Sequence, residues 1–162
     1  MIIDSGNRTT FDSGAVRDIQ ENKGRCDLMP LDVIAELYEM NADFNGYNVY
    51  RGLSLFVETG DTNYLYDCLF FGAPKTFDSL ETMLLEVAKH FEEGCKKYGE
   101  NNWKKGIPAH CYINSAVRHL LKHLRGDTDE RHDRAFMWNV MCCIWTCEHL
   151  PELNDYKRGE SK

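Results

Sequence analysis

Apolar positions along most of this chain recur at the three-and-four spacing of a helix, and no stretch shows the sustained alternation of a half-buried strand. The clearest run is 79–98, where Leu84, Val87, Ala88, Phe91, Cys95 and Tyr98 share one stripe, Asp78 or Ser79 caps the start and Gly99 ends it. A second run, 112–125, carries Ile113, Ala116, Val117, Leu120, Leu121 and Leu124 and is closed by Gly126. A third, 130–149, is capped by Asp127, Thr128 or Asp129 and stops before Pro151. From Ala135 to Cys147 it is apolar nearly all round, with Asn139 and Thr146 its only strongly polar positions, which predicts the central helix of a bundle.

Upstream, 47–58 and 63–71 read as helices joined by Thr59-Gly60-Asp61-Thr62, where Gly60 ends one and Asp61 or Thr62 caps the next. Pro74 is expected to break the chain there, and Tyr64, Leu65, Tyr66, Leu69, Phe70 and Phe71 would also suit a strand. Leu31–Met40 reads as a short helix following Pro30. The pattern therefore predicts an all-α, single-domain helical bundle: an irregular, turn-rich arm over 1–30 that packs on the body, a helical domain over 31–153 and a polar tail over 154–162.

Composition narrows the class. The 162 residues are 43% hydrophobic and 12% aromatic, enough for one packed core without staples. Seven cysteines with no CxxC pair fit neither a disulfide framework nor a zinc-finger spacing, so reduced thiols and a cytoplasmic setting are expected. The start turns polar too early for a secretory leader and no apolar run is long enough to span a bilayer, so no membrane partner is expected. A net charge of -7 argues against duplex nucleic acid, whose backbone demands a basic surface. An acidic protein can still hold a phosphate ligand if a local basic cluster and divalent metal offset the charge.

Ingredients for both occur. Asp129-Glu130-Arg131-His132-Asp133 concentrates carboxylates and an imidazole in one turn, and the ExxD spacing of Glu130 and Asp133 places both on one face, as a shared Mg²⁺ or Mn²⁺ would need. Asp133 also falls on the inward stripe of the last helix; a carboxylate in a first turn, favoured by the macrodipole and left wet, is the alternative. On the 79–98 helix, Glu86, His90, Glu93 and Lys97 share an arc opposite the apolar stripe, either a ligand face or a solvated one. Because these residues face away from their own helix's apolar stripe, a homo-oligomer, or an additional packed layer, is expected to cover that face. Lys96, Lys97, Lys104, Lys105, Arg118 and Lys122 form the sustained basic stretch, with Tyr98 and Trp103 available to stack on a base or to pack in the core, and Asn139 buried and in need of a partner.

These residues resemble the phage and prophage dATP/dGTP diphosphohydrolases, relatives of the MazG-type all-α nucleotide pyrophosphohydrolases. The resemblance rests on SGAVRD (Ser13 to Asp18), KGRCDLMP (Lys23 to Pro30), Glu86-Val-Ala, KKYG (Lys96 to Gly99), Asn102-Trp103, SAVRH (Ser115 to His119), DERHDRAF (Asp129 to Phe136) and Trp138-Asn139. It implies hydrolysis of a purine deoxynucleoside triphosphate to the monophosphate and pyrophosphate with Mg²⁺ or Mn²⁺. The MazG pattern is ExxE on one helix and ExxD on a later one. Glu130 and Asp133 supply the second, whereas Lys89 stands where the first needs its second glutamate, leaving Glu93 or His90 to replace it. The implied metal ligands are Glu86, His90, Glu93, Asp129, Glu130, His132 and Asp133. Glu86, Asp133, Lys97 and Arg118 would carry catalysis, with Arg17, Lys23, Arg25, Tyr98, Asn102, Trp103, His119 and Asn139 on the substrate and the arm as a lid or a docked strap. An HD-type metallophosphohydrolase built on His119 and the His132-Asp133 doublet is the competing enzyme, and a non-catalytic nucleotide- or protein-binding helical module the competing class.

Overall fold

The computed structural model describes residues 8–18, 46–76 and 78–156. Their five α-helices are α1 (Gly46–Thr59), α2 (Asn63–Thr76), α3 (Leu80–Tyr98), α4 (Ala109–Arg125) and α5 (His132–His149). Short 3₁₀ turns at Asn102–Lys105 and Pro151–Leu153 follow α3 and α5. The all-α bundle is as expected. The arm contributes something its turn-like composition did not announce: strands β1 (Arg8–Thr10) and β2 (Val16–Asp18), paired antiparallel with Thr9 opposite Arg17. Leu31–Met40, Lys23 and Arg25 lie outside the described residues.

α5 is the hub. It packs against α4 along its length and also against α2 and α3, and from Ala135 to Cys147 only Trp138, Met141 and Trp145 are less than fully buried. The near-continuous apolar surface of that segment is what allows it to take neighbours on several sides at once. Tyr50, Leu53 and Phe56 of α1, Leu65 and Cys68 of α2, and Tyr112, Ile113, Ala116 and Val117 of α4 complete the core.

Helix ends follow local chemistry. The Ser79 hydroxyl accepts from the Thr82 amide at 3.2 Å, and Gly126 at φ 86 turns the chain left-handed after α4 while its amide caps the last carbonyls. Two expectations fail. α2 runs through Pro74 to Thr76, because a proline so close to a helix end forfeits little of the remaining ladder. α5 starts at His132 without a side-chain cap, because Asp127 is bound to Arg125 and Asp129 to Lys122 and His132. α3 is also rotated relative to its predicted stripe: Met83, Val87 and His90 are buried, whereas Leu84 is 44% exposed and Ala88 is exposed too. The layer over the Glu86–His90–Glu93 face comes from the start of α5.

The hairpin docks through side chains of the body. Ser13 donates to the Gly106 carbonyl at 2.6 Å. The Asn102 amide grips the Val16 backbone from both ends, accepting from its N–H at 3.0 Å and donating to its C=O at 2.8 Å. One amide thus replaces the neighbouring strand that β2 lacks on that edge.

Candidate functional site

A cavity of about 830 Å³ opens between the hairpin, α3, the Gly99–Trp103 turn, α4 and α5. That volume lies in the range of small-molecule sites. Arg17, Asp18, His90, Tyr98, Asn102, Trp103, Arg118, His119, Lys122, Glu130, Trp138 and Asn139 are on its wall, so most sequence-predicted substrate residues converge. Lys122, from the basic stretch expected to hold phosphate, is there too, and Trp138 joins a set that had not singled it out as a ligand contact; it sits beside Asn139 on the apolar helix, where an indole reads as core.

Its apolar side is an aromatic cluster. Trp138 lies against His90, Phe91 and Tyr112, and Trp103 against Phe91 and Trp145. Arg17 reaches in from β2, stacks over the Tyr112 ring and donates to Asn139 Oδ1 at 2.6 Å; Asn139 in turn donates to the Ala135 carbonyl. Arg17 Nη1, His90 Nδ1 and Trp138 Nε1 are buried here without a hydrogen-bond partner among the described residues. Burial, reinforced by Arg134, pulls His90 down to about 4, so its imidazole is neutral at physiological pH. Asn102 is committed to the Val16 backbone, and Tyr98 and Lys97 both donate to Asp18, at 2.9 and 2.8 Å. Burial works against the Lys97 charge, yet the Asp18 bond holds its pKa above the ordinary lysine value. Lys97 therefore secures β2 and is not itself on the cavity wall.

Other lining residues are charged or polar. Arg118 donates to Ser115 at 3.0 Å and Lys122 to Asp129 at 2.9 Å. Beside them, His119 Nδ1, His132 Nδ1 and Glu130 Oε1 approach one another to 3.0–3.3 Å, and His132 Nε2 lies 2.6 Å from Asp129 Oδ1. These histidines face because α4 and α5 form a hairpin whose short connection sets the last turns of one against the first turn of the other.

The remaining acidic residues gather elsewhere. Asp133 accepts two bonds from Arg131, at 3.0 and 2.7 Å, and one from the Arg134 amide. Glu93 accepts from Arg134 at 2.7 Å, and Glu86 contacts Lys89, Arg131 and Arg134. Burial acts to raise Asp133, but the Arg131 bond and the Arg134 amide outweigh it and hold the carboxyl below its usual range; Glu86 is lowered chiefly by Lys89. Glu130 and Asp133, expected to share a cation, thus diverge: one turns to the histidines, the other to arginine. Helix geometry places both on one arc, but Arg131 lies between and claims the nearer carboxylate. Glu86, Glu93 and Asp133 do not line the cavity. Among the described residues, two groups bring ligand atoms close enough for one divalent ion: His119, Glu130 and His132, the first two of which line the cavity, and Asp127, Asp129 and His132, none of which does.

No helix among the described residues is long and apolar enough to cross a membrane. No curated protein and no solved structure matches the chain. A family model described as dATP/dGTP diphosphohydrolase, N-terminal, matches residues 66–156, which span α3, α4, α5 and every wall of the cavity except the hairpin. That match covers more than half of the chain, which therefore belongs to the dATP/dGTP diphosphohydrolase family.

Proposed function

We propose that the chain hydrolyses purine deoxynucleoside triphosphates to the monophosphate and pyrophosphate, using a divalent cation, within this cavity. The observation that carries the reading is the cavity's lining, which combines an aromatic cluster and unpaired polar atoms with the cations Arg118 and Lys122 and with Glu130 and His119. A purine offers a flat face and several edge donors and acceptors, suited to Trp138 and Trp103 and to Arg17 Nη1, His90 Nδ1 and Trp138 Nε1. Arg118 and Lys122 face the phosphate end. A triphosphate brings about four negative charges, and Glu130 is tolerable beside it only with a cation between. When bound, that cation supplies charge neutralisation and an acidified water for in-line attack at the α-phosphorus. The protein's own share is orientation: Arg17 and Trp138 fix the base, Arg118 and Lys122 the phosphate oxygens, and the docked hairpin keeps bulk water out.

One observation favours a second reading. The meeting of His119 and His132 is the kind of ligation an HD-type phosphohydrolase uses, although Asp133 of the His132-Asp133 doublet is bound to Arg131. Product analysis separates the two. Incubating the purified full-length chain with each common nucleoside triphosphate and a divalent metal should release pyrophosphate and deoxynucleoside monophosphate in equal amounts, fastest from dATP or dGTP. Release of orthophosphate or triphosphate would favour the HD-type enzyme, and binding without turnover a non-catalytic module.

A further inference from the structure

We propose that His119 Nδ1, His132 Nδ1 and Glu130 Oε1 form a site for one transition-metal ion of the zinc or cobalt class, in preference to the magnesium that an all-carboxylate set would take. The inference deepens the reading above, since His119 and Glu130 line the same cavity, but it stands on geometry that needs no turnover.

The separations come first. The two imidazole nitrogens are 3.0 Å apart, and the carboxylate oxygen is 3.2 Å from one and 3.3 Å from the other. Ligands at the roughly 2.0–2.2 Å bond lengths of zinc stand about 3.3–3.6 Å apart in a tetrahedron and about 2.8–3.1 Å apart in an octahedron. The edges of the triangle fall between these two ranges, so one ion can be seated on all three atoms with an adjustment of a few tenths of an ångström.

The tautomer follows from the contact behind it. His132 Nε2 lies 2.6 Å from Asp129 Oδ1, and Lys122 holds the other Asp129 oxygen at 2.9 Å. A carboxylate there keeps the imidazole proton on Nε2 and leaves Nδ1 as a bare lone pair, the arrangement that carboxylates impose on metal-bound histidines. That lone pair faces His119 Nδ1 at 3.0 Å and the Glu130 oxygen at 3.3 Å, so either a proton on His119 Nδ1 or a cation between the three atoms must hold them together. The trio is largely enclosed: the His132 side chain is 1% exposed, and those of Glu130 and His119 are 12% and 16% exposed. His119 and Glu130 line the cavity, from which a further ligand would enter a three-ligand site.

The donor set then selects the ion. Two imidazoles and one carboxylate suit borderline cations, whereas magnesium prefers oxygen and keeps its waters. The carboxylates that would make an oxygen-only site are bound to arginine or lysine instead.

The test is a titration of the chelator-stripped full-length chain with Co²⁺, read by its visible absorption. One equivalent should bind, be displaced by Zn²⁺ and survive millimolar Mg²⁺. His119→Ala and Glu130→Gln should each weaken it by more than about 100-fold, beyond the roughly 10–100-fold expected for Asp129→Asn behind the histidine; Asp133→Asn should leave it unchanged. Should a variant not fold, ¹⁵N spectra of the wild-type imidazoles serve instead: stoichiometric Zn²⁺ should shift Nδ1 of His119 and His132 while His132 keeps its Nε2 proton. Unmoved imidazole signals, or cobalt binding indifferent to these substitutions, would mean that a proton holds the trio together and overturn the site. Metal binding as described without nucleotide turnover sustains the site and sinks the hydrolase reading; turnover with Mg²⁺ and untouched imidazoles does the reverse.

Discussion

Arg134 shows how one side chain reorganises a group of acids. It is buried, bonds Glu93 at 2.7 Å and lies 3.9 Å from Glu86. Replacing it with methionine keeps the bulk but takes the buried guanidinium from Glu93 and a second, longer contact from Glu86, which Lys89 and Arg131 still hold. Because Glu93 is 28% exposed and partly solvated, the loss should be about 1–3 kcal/mol, below that of a fully buried pair. Urea midpoints will show it, and Arg134→Met combined with Glu93→Met should recover part of the loss. His110 provides a pH-dependent contact: its Nδ1 meets Asp155 and its Nε2 the Cys111 thiol, and the Asp155 bond, helped by Cys111, lifts it from 6.5 to about 10. A raised histidine stabilises fully below its unfolded value and fades as pH climbs through the folded one. Asp155, whose burial is outweighed by the His110 bond, is lowered from 3.8, so its contribution is complete above that value and is lost as pH falls below it toward the folded value. The pair should therefore help most between about pH 4 and 6.5 and vanish near pH 10. Both groups are over a third exposed, so Asp155→Asn should cost only ~0.5–1 kcal/mol at pH 5.5 and nothing at pH 10.5, checked by denaturant midpoints at both.

At the scale of elements, glycines mark where helices touch and where they do not. A Cβ on Gly52 would stand 2.6 Å from Cys68 Sγ and 2.7 Å from the Tyr64 carbonyl. The α1–α2 crossing therefore requires a bare backbone, and Gly52→Ala should cost about 1–3 kcal/mol by forcing the helices apart. Gly94, inside α3, has nothing within 4 Å of such a Cβ. Gly94→Ala should instead stabilise by roughly 0.5–1 kcal/mol, since it removes backbone freedom from the unfolded chain without a clash. Thermal melts of the two variants should move in opposite directions, and if both fall, the space at Gly94 is not what the fold depicts.

For the whole molecule, the docked hairpin is the decisive assembly. It supplies Arg17 and Asp18 to the cavity and lies outside the span matched by the family model. Asn102→Ala removes both bonds to Val16, which should loosen β2, left with the Asp18 and Arg17 side-chain bonds, at a cost of about 1–3 kcal/mol locally while the helical core persists. Hydrogen exchange should accelerate at Val16 and stay slow through α5. Affinity for a purine triphosphate should fall with it, because Arg17 reaches the cavity only while β2 is held; unchanged affinity would detach the arm from substrate binding.

Local spacing determined a great deal of this protein. The apolar breadth of 135–147 marked the central helix, Ser79, Gly99 and Gly126 marked helix ends, and His90 and Asn139 were identifiable as chemistry awaiting a place, because each signal lies within a turn or two of chain; Arg17 and His119 came forward only through family resemblances. What only the tertiary structure decided depends on distant partners. Three-residue strands carry too few positions for an alternation to show, and theirs is held by Asn102, far along the sequence. α3 turned Met83 inward and Leu84 outward because α5 offered Arg134 and Trp138 to its polar face, a pairing that periodicity within one helix does not contain. Likewise Glu130 and Asp133 occupy one arc in sequence, yet one meets two histidines and the other an arginine. Helical spacing sets the direction of a side chain, whereas the partner across the gap sets its chemistry.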